Sequence, residues 1–279
     1  MKTRTILLAL AASLSLGQAS AQAQSQTLGE APATAGWRAP DPENVLIIDT
    51  NKGRIVAELT PAVAPQNAAR IKELTRQGFY NGRSFFRVVE GFMAQGGDPT
   101  DTGQGGSTLP DLPAEFSFKR GPETKVTPAP AGNSRGGFIG PMVVTTQPNA
   151  LMAMMTDGRV SAQARFCKGV IGMARTNEPN TANSQFFLMR DTRPDLDGKY
   201  TPVGRVLVGI DVVRALKVGE PVAAPQDRMT TVRLLADIPA AERPRVLVRD
   251  TTTPEFAGVI QAKGANFDAC DLDIEAVVQ

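Results

Sequence analysis

The chain has 279 residues, 42% of them apolar and 21% charged, which is ample for one sizeable hydrophobic core with additions. Its 30 basic and 28 acidic side chains are interspersed without a basic run, so the charge gives no reason to expect nucleic acid, whose capture depends on counterion release. With no histidine and only two cysteines, the sequence excludes a histidine general base, a Ser-His-Asp triad and a thiol-rich metal centre.

Lys2 and Arg4 precede the apolar run Ile6 to Leu16, which leads into the small residues Ala19-Ser20-Ala21. That order predicts an export signal cleaved after Ala21, with Ala21-Gln22-Ala23 as a second site. The run is too short to span a bilayer. No cysteine follows closely to take a lipid, and no Arg-Arg pair marks the twin-arginine route. The expectation is an exported chain, periplasmic or secreted, without a membrane span. Removing residues 1–21 takes away Lys2 and Arg4 and no acid, so the formal charge of +2 falls to 0. Residues 22–43, rich in Gln, Ala and Pro, read as a flexible lead-in.

Order is expected from Asn44. Val45 to Ile48 and Ile55 to Leu59, joined by Thr50-Asn51-Lys52-Gly53, predict a β-hairpin. Pro65 suits the first turn of a helix with Ala68, Ile71 and Leu74 on one face, ending at Gly78. Ser84 to Val89 reads as a strand with Phe85, Arg87 and Val89 on one side and Phe86 and Val88 on the other. Gly96-Gly97-Asp98 and Gly103 to Gly106 read as turns. Val170 to Ala174, Gln185 to Met189, Val203 to Val208 and Met229 to Leu235 are further strands, with a helix over Ile210 to Leu216. Many short strands and two helices predict a mainly β protein, a closed barrel with helical plugs, because closure removes exposed edges.

Two segments exceed a minimal barrel: an insertion at about 119–165, and a tail over 239–279. Cys167 adjoins the first and Cys270 lies in the second. A bridge tying the two additions together and a pair of buried free thiols are both open from the sequence.

Several short patterns mislead. Gly132-Asn133-Ser134-Arg135-Gly136 matches a nucleophile elbow, but Pro128, Pro130 and Gly137 around it read as loop, and no histidine exists to activate the serine. In Asp195-Leu196-Asp197-Gly198 the glycine comes too early for a calcium loop, so it reads as a turn. Gly103 to Gly106 lacks the Lys-Ser/Thr ending of a phosphate loop. Met152, Met154 and Met155 read as core or partner packing. No metal or cofactor is expected.

What remains is Arg87 beside apolar neighbours, with Phe92, Met93 and Gln95 downstream and Gln185 and Phe187 alternating on another strand. The runs FFRVVEGFMAQGGDPT, GVIGMARTNEPNTANSQFFL and LDGKYTPVGRV, in this order, resemble the signature stretches of the cyclophilins, which are peptidyl-prolyl cis-trans isomerases. The resemblance covers about 44–238, interrupted by the insertion. It implies a closed eight-stranded antiparallel β-barrel capped by two α-helices, with a long insertion and a C-terminal extension.

Carried over by position, the resemblance makes Arg87 the catalytic arginine and Phe92, Met93, Phe187 and Leu196 the walls of a proline pocket. Gln95 and Gln185 become positioning amides. Ala174, Arg175 and Thr176 become an edge that pairs with substrate backbone, and Tyr200 stands where animal members usually have histidine. Gly103 to Gly106 flanks a side pocket for the neighbouring substrate residue. Phe86 replaces a common histidine, and Arg175 replaces a common asparagine, with a contribution expected mostly from its backbone. Asp195 stands where many members have a tryptophan that helps hold cyclosporin, which implies weak drug binding.

The expected partners are proline-containing polypeptides. The alternative function is a non-catalytic proline-peptide-binding module or chaperone of the cell envelope. A third reading makes the insertion or tail a docking face for an envelope partner.

Overall fold

The structure, a computed structural model, describes residues 35–131, 134–264 and 266–279. The expected export segment, residues 22–34 of the lead-in, and Gly132 and Asn133 of the serine motif lie outside the described residues.

In chain order the strands and helices are β1 (Trp37–Arg38), β2 (Val45–Thr50), β3 (Gly53–Leu59), α1 (Pro65–Arg76), β4 (Arg87–Val89) and β5 (Met93–Gly96). The insertion supplies β6 (Phe118–Arg120), β7 (Thr127–Ala131), β8 (Ser134–Ile139), β9 (Met142–Thr146) and β10 (Val160–Ala164). Then come β11 (Val170–Met173), β12 (Phe186–Met189), β13 (Thr201–Val208), α2 (Ile210–Ala215) and β14 (Met229–Leu234). The tail adds β15 (Val246–Arg249), α3 (Pro254–Ala262) and β16 (Ala276–Val278).

Eight strands form one antiparallel sheet in the order β14-β2-β3-β13-β11-β12-β5-β4. It curls until its two edges approach one another. They meet through the single bridge Ser84 to Arg228 and not through a continuous ladder, which is less than the closed barrel expected. Helix α1 lies against β13 and β14, and α2 against β3.

Local chemistry accounts for the elements. Pro65 opens α1, and Ala68, Ile71 and Leu74 recur on its buried stripe. Ala64 offers no capping side chain, so the Glu115 carboxylate accepts instead from Gln66 N at 3.1 Å and Asn67 N at 3.0 Å. At the other end Gly78 takes a φ of 67°, and Phe79 N returns to Leu74 O at 3.0 Å.

The run Val45 to Ile48 is buried throughout because both faces of its sheet are covered. Leu46 and Ile48 point into one core with Ile71, Leu74, Phe85 and Val88. Val45 and Ile47 face a second core, shared with Phe138 and Val144 of the insertion and Val246 and Phe256 of the tail. Each large apolar side chain taken out of water stabilises by about 1.5–3 kcal/mol. Both additions therefore form structural walls.

Three links pin these walls. Cys167 and Cys270 are disulfide-bonded, with Cα atoms 5.0 Å apart. Arg205 of β13 donates to the carbonyls of Lys168 at 3.1 Å, Pro141 at 3.1 Å and Leu272 at 3.4 Å. Its burial pushes the guanidinium down to about 10, against the opposing pull of Asp273. The rings of Phe138 and Phe256 meet edge to face at 5.1 Å.

Four expectations need correction. Trp37–Arg38 pairs with Val248 and Arg249, so the lead-in is ordered before Asn44. Ladder pairing at the expected strand Ser84 to Val89 begins only at Arg87, which breaks the alternation and sends Phe85 into the core beside Val88, away from the face of Arg87. The segment around Pro128 and Pro130 is a hairpin strand, not a loop. It lies at the edge of the sheet β6-β10-β9-β8-β7, where a residue without an N–H is tolerated. Of the two readings given for the methionine cluster, core packing fails for Met154, which is 79% exposed on the 3-10 helix Asn149–Met154.

Candidate active site

Antiparallel register assembles the site. Arg87 of β4 sits directly opposite Gln95 of β5, and Gln95 opposite Phe187 of β12. Three side chains, two from neighbouring strands of one hairpin and one from a strand distant in sequence, thus stand in a row on one face of the sheet. Phe187 is paired in turn with Gly172 of β11. A Cβ at Gly172 would lie 2.7 Å from the Phe166 ring and closer still to the Phe187 ring, so glycine is what makes room for them.

Arg87, Phe92, Met93, Gln95, Ala174, Arg175, Phe187, Leu196 and Tyr200 line one cavity of 130 Å³. That is well below the roughly 300–1,000 Å³ of sites for drug-sized ligands, and it suits one small ring. Phe187 is held by stacking on Phe166 at 5.9 Å and by the edge of Tyr200 at 5.7 Å. Arg193 lies 4.4 Å over the Phe92 ring and is gripped by Asp195 at 2.8 and 2.7 Å, which makes that rim a charged pair.

The Arg87 guanidinium is held on two edges. Nη1 donates to Gln95 Oε1 at 3.2 Å, and Nε donates to Glu220 Oε1 at 2.6 Å. Gln95 Nε2 donates to Gln185 Oε1 at 2.9 Å, and Gln185 Nε2 donates to the carbonyls of Gly103 at 3.1 Å and Gly105 at 2.7 Å.

A second cavity of 620 Å³ adjoins the first, sharing Gln95, Ala174 and Arg175. Gly103 to Gly106, Thr176, Gln185 and Asn183 complete much of its wall. Its glycine loop is organised by buried Asp98, which accepts from Thr100 N at 2.7 Å, Thr102 N at 3.2 Å, Gly103 N at 2.5 Å and Gly105 N at 3.1 Å. Burial pushes the Asp98 carboxyl up, but the donors from Thr100, Gly105 and Gly103 outweigh it and hold the group below its ordinary range.

Every residue singled out for the site falls in one of these two cavities. On the edge Ala174 to Thr176, two amides are engaged internally: Ala174 N donates to Gln185 O at 2.9 Å, and Thr176 N to Thr181 Oγ1 at 3.0 Å. The Arg175 side chain is not a bystander. It donates to Lys199 O at 2.8 Å and covers the Tyr200 ring at 4.5 Å. Sequence reasoning missed Glu220, Asp98, Phe166 and Gly172. The apolar pair Phe166-Cys167 was visible, but nothing local to Glu220 pointed to Arg87.

Residues 45–235 match the family model described as cyclophilin type peptidyl-prolyl cis-trans isomerase/CLD. The chain is 38% identical over 192 residues to a Brucella suis protein named "Probable peptidyl-prolyl cis-trans isomerase", covering 65% of this chain and 75% of that one. It is 31% identical over 205 residues to mouse peptidyl-prolyl cis-trans isomerase-like 1, covering 73% and 95%. Among solved structures it is similar to cyclophilin AquaCyp293 from Hirschia baltica, with a TM-score of 0.78, 36% identity, and coverage of 87% of this chain and 93% of that chain. That last likeness extends beyond the residues of the family match. A curled eight-stranded sheet carrying an arginine on a small cavity that is walled in part by Phe92, Met93, Phe187 and Leu196 defines a class, and the chain belongs to the cyclophilin-type peptidyl-prolyl cis-trans isomerases.

Proposed function

We propose that this protein accelerates cis-trans rotation of X-Pro bonds in polypeptides, with Arg87 as the catalytic residue. The observation that carries the reading is the placement of the Arg87 guanidinium on the same 130 Å³ cavity as Phe92, Met93, Phe187 and Leu196. An X-Pro bond resists rotation because the nitrogen lone pair is delocalised into the carbonyl, leaving a barrier of roughly 18–20 kcal/mol. As the bond twists, the nitrogen turns pyramidal and regains that lone pair. A guanidinium N–H aimed at it binds the twisted state better than either planar one, which lowers the barrier.

The apolar walls grip the pyrrolidine ring and keep water from competing for the guanidinium. Gln95 aims the guanidinium. No covalent bond breaks, so the step requires neither a general base nor a cofactor. The adjoining 620 Å³ cavity would take the side chain of a neighbouring substrate residue.

The curled sheet is read further as a barrel closed along the seam between residues 82–85 and 227–229. Gly82 N to Met229 O at 2.7 Å, Met229 N to Arg83 O at 2.8 Å and Phe85 N to Asp227 O at 2.9 Å support that closure, with α1 and α2 as its caps. We place the isomerase domain at 44–238 and the extension at 239–279. Action on exported polypeptides is supported by the basic-apolar-small order of residues 1–21 and by the Cys167–Cys270 disulfide, a bond that persists in oxidising compartments. Among the described residues no helix is long and apolar enough to cross a membrane.

The test is an isomerisation assay of the full chain on an Ala-Pro-Phe peptide. Acceleration above the uncatalysed rate supports the enzyme. Peptide binding without acceleration would favour the non-catalytic module.

A further inference from the structure

Glu220 lies outside the three signature runs, on the loop after α2. Its Oε1 accepts from both Nε, at 2.6 Å, and Nη2, at 2.5 Å, of Arg87. One edge of the guanidinium is thereby taken, while Nη1 donates to Gln95. An exposed ion pair by itself contributes little, and these side chains are 37% and 57% exposed.

What sets this pair apart is that the backbone is built to hold it. Val88 N donates to Gly219 O at 2.9 Å and Gly219 N returns to Val88 O at 2.8 Å, while Val222 N donates to Phe86 O at 2.8 Å. The loop is pinned to the segment bearing Arg87 on both sides of Glu220, and Arg87 stands between the two pinned residues. Val222 is buried at 3% exposure, which seats the loop. A Cβ at Gly219 would come 2.6 Å from Val222 Cα, so the turn demands glycine. Lys217 closes the far side by donating Nζ to Ala223 O at 2.7 Å. The carboxylate is thus presented to Arg87 by an ordered loop.

We infer that Glu220 is a positioning residue for the isomerase reaction. It holds the Nε–Nη2 edge of Arg87 while Gln95 holds the other, so the guanidinium plane is oriented before peptide arrives and needs no reorganisation as the bond twists. The inference rests on the isomerase reading of Arg87.

The test compares wild type, Glu220→Ala, Glu220→Gln and Glu220→Lys for kcat and KM on one proline peptide. The guanidinium ¹⁵N–¹H resonance of Arg87 Nε is recorded alongside. Glu220→Ala is expected to lower kcat by about three- to tenfold with little change in KM, the size of one hydrogen bond to a charged but partly exposed group. Glu220→Gln keeps an acceptor oxygen and recovers much of that loss. Glu220→Lys repels the guanidinium and loses more than Glu220→Ala. The Nε–H signal, slow to exchange in the wild type, exchanges fast in Glu220→Ala. Equal kcat in wild type and Glu220→Ala, or a rise in the variant, overturns the inference and leaves the isomerase standing. An inactive wild type overturns the isomerase reading itself, and this role for Glu220 with it.

Discussion

Gln95 donates Nε2 to Gln185 Oε1 across 2.9 Å, and the direction of that bond is dictated from outside the pair. Gln185 Nε2 meets the carbonyls of Gly103 and Gly105, which can only accept, so Gln185 Oε1 faces Gln95 and Gln95 Oε1 faces Arg87. A backbone loop thus sets the polarity of two amides and the placement of a guanidinium.

Gln185→Glu breaks this chain at its origin, because a carboxylate cannot donate to the two carbonyls. The expected result is a fall in kcat/KM of about tenfold, equivalent to one hydrogen bond of about 1.4 kcal/mol, with the variant still folded. The peptide assay beside a thermal melt checks it. Unchanged activity would show that the amide chain does not orient Arg87.

Asp98 adds a pH dependence to the same loop. Its folded-state pKa lies below the ordinary value of 3.8, so the stability it contributes is complete above that value and is lost as pH falls through the folded pKa. Hydrogen exchange at Gly103 and Gly105 should therefore accelerate in acid, beyond the intrinsic pH trend, only below about pH 3.8. Asp98→Ala removes a buried acceptor that serves four part-buried loop N–H groups and should cost about 1.5–3 kcal/mol in denaturant unfolding at neutral pH. A loss under 0.5 kcal/mol, on the order of a plain surface change, would contradict this role.

The Cys167–Cys270 bridge spans 103 residues of sequence and joins the strand region before β11 to the tail. Loop-closure entropy for a loop of that length is worth about 4–5 kcal/mol, although strain and residual unfolded structure reduce it in practice. The Cys167→Ala, Cys270→Ala double variant should unfold at least 2 kcal/mol more easily, about the lower end for lost native disulfides, and still turn over peptide at 25 °C. Equal stability with and without the bridge would count against a structural role for the tail.

Asp195 and Arg193 place a charged pair on the rim beside Phe92. An apolar cyclic peptide such as cyclosporin must desolvate that pair without replacing its hydrogen bonds. Weak inhibition is expected, and Asp195→Trp should tighten it by about tenfold, the gain of one buried aromatic contact. Tight inhibition of the wild type would refute the argument.

Much of this architecture was legible in the sequence, for physical reasons. The hairpin of β2 and β3, the stripe of α1 and the strands at Val170, Phe186 and Thr201 follow from local periodicity and turn residues. The row Arg87, Gln95, Phe187 depends on register between strands, and only the family resemblance anticipated it. The strand at Thr127–Ala131 was hidden because its prolines are tolerated only at a sheet edge, and edge position is a tertiary fact. Likewise Trp37–Arg38 is a strand only because Arg249 and Val248 come to meet it. Glu220 was invisible as a partner of Arg87 because 133 residues separate them and its loop is positioned by backbone bonds to Phe86 and Val88.

The most direct measurement is turnover of a proline peptide by wild type, Arg87→Ala and Arg87→Lys, with peptide affinity recorded for each. Loss of one preorganised donor predicts a fall in kcat of about 100-fold or more for Arg87→Ala while affinity stays within a few-fold. Arg87→Lys should recover little, since an ammonium cannot reproduce the planar fork held between Gln95 and Glu220. Wild-type turnover in Arg87→Ala would contradict the account.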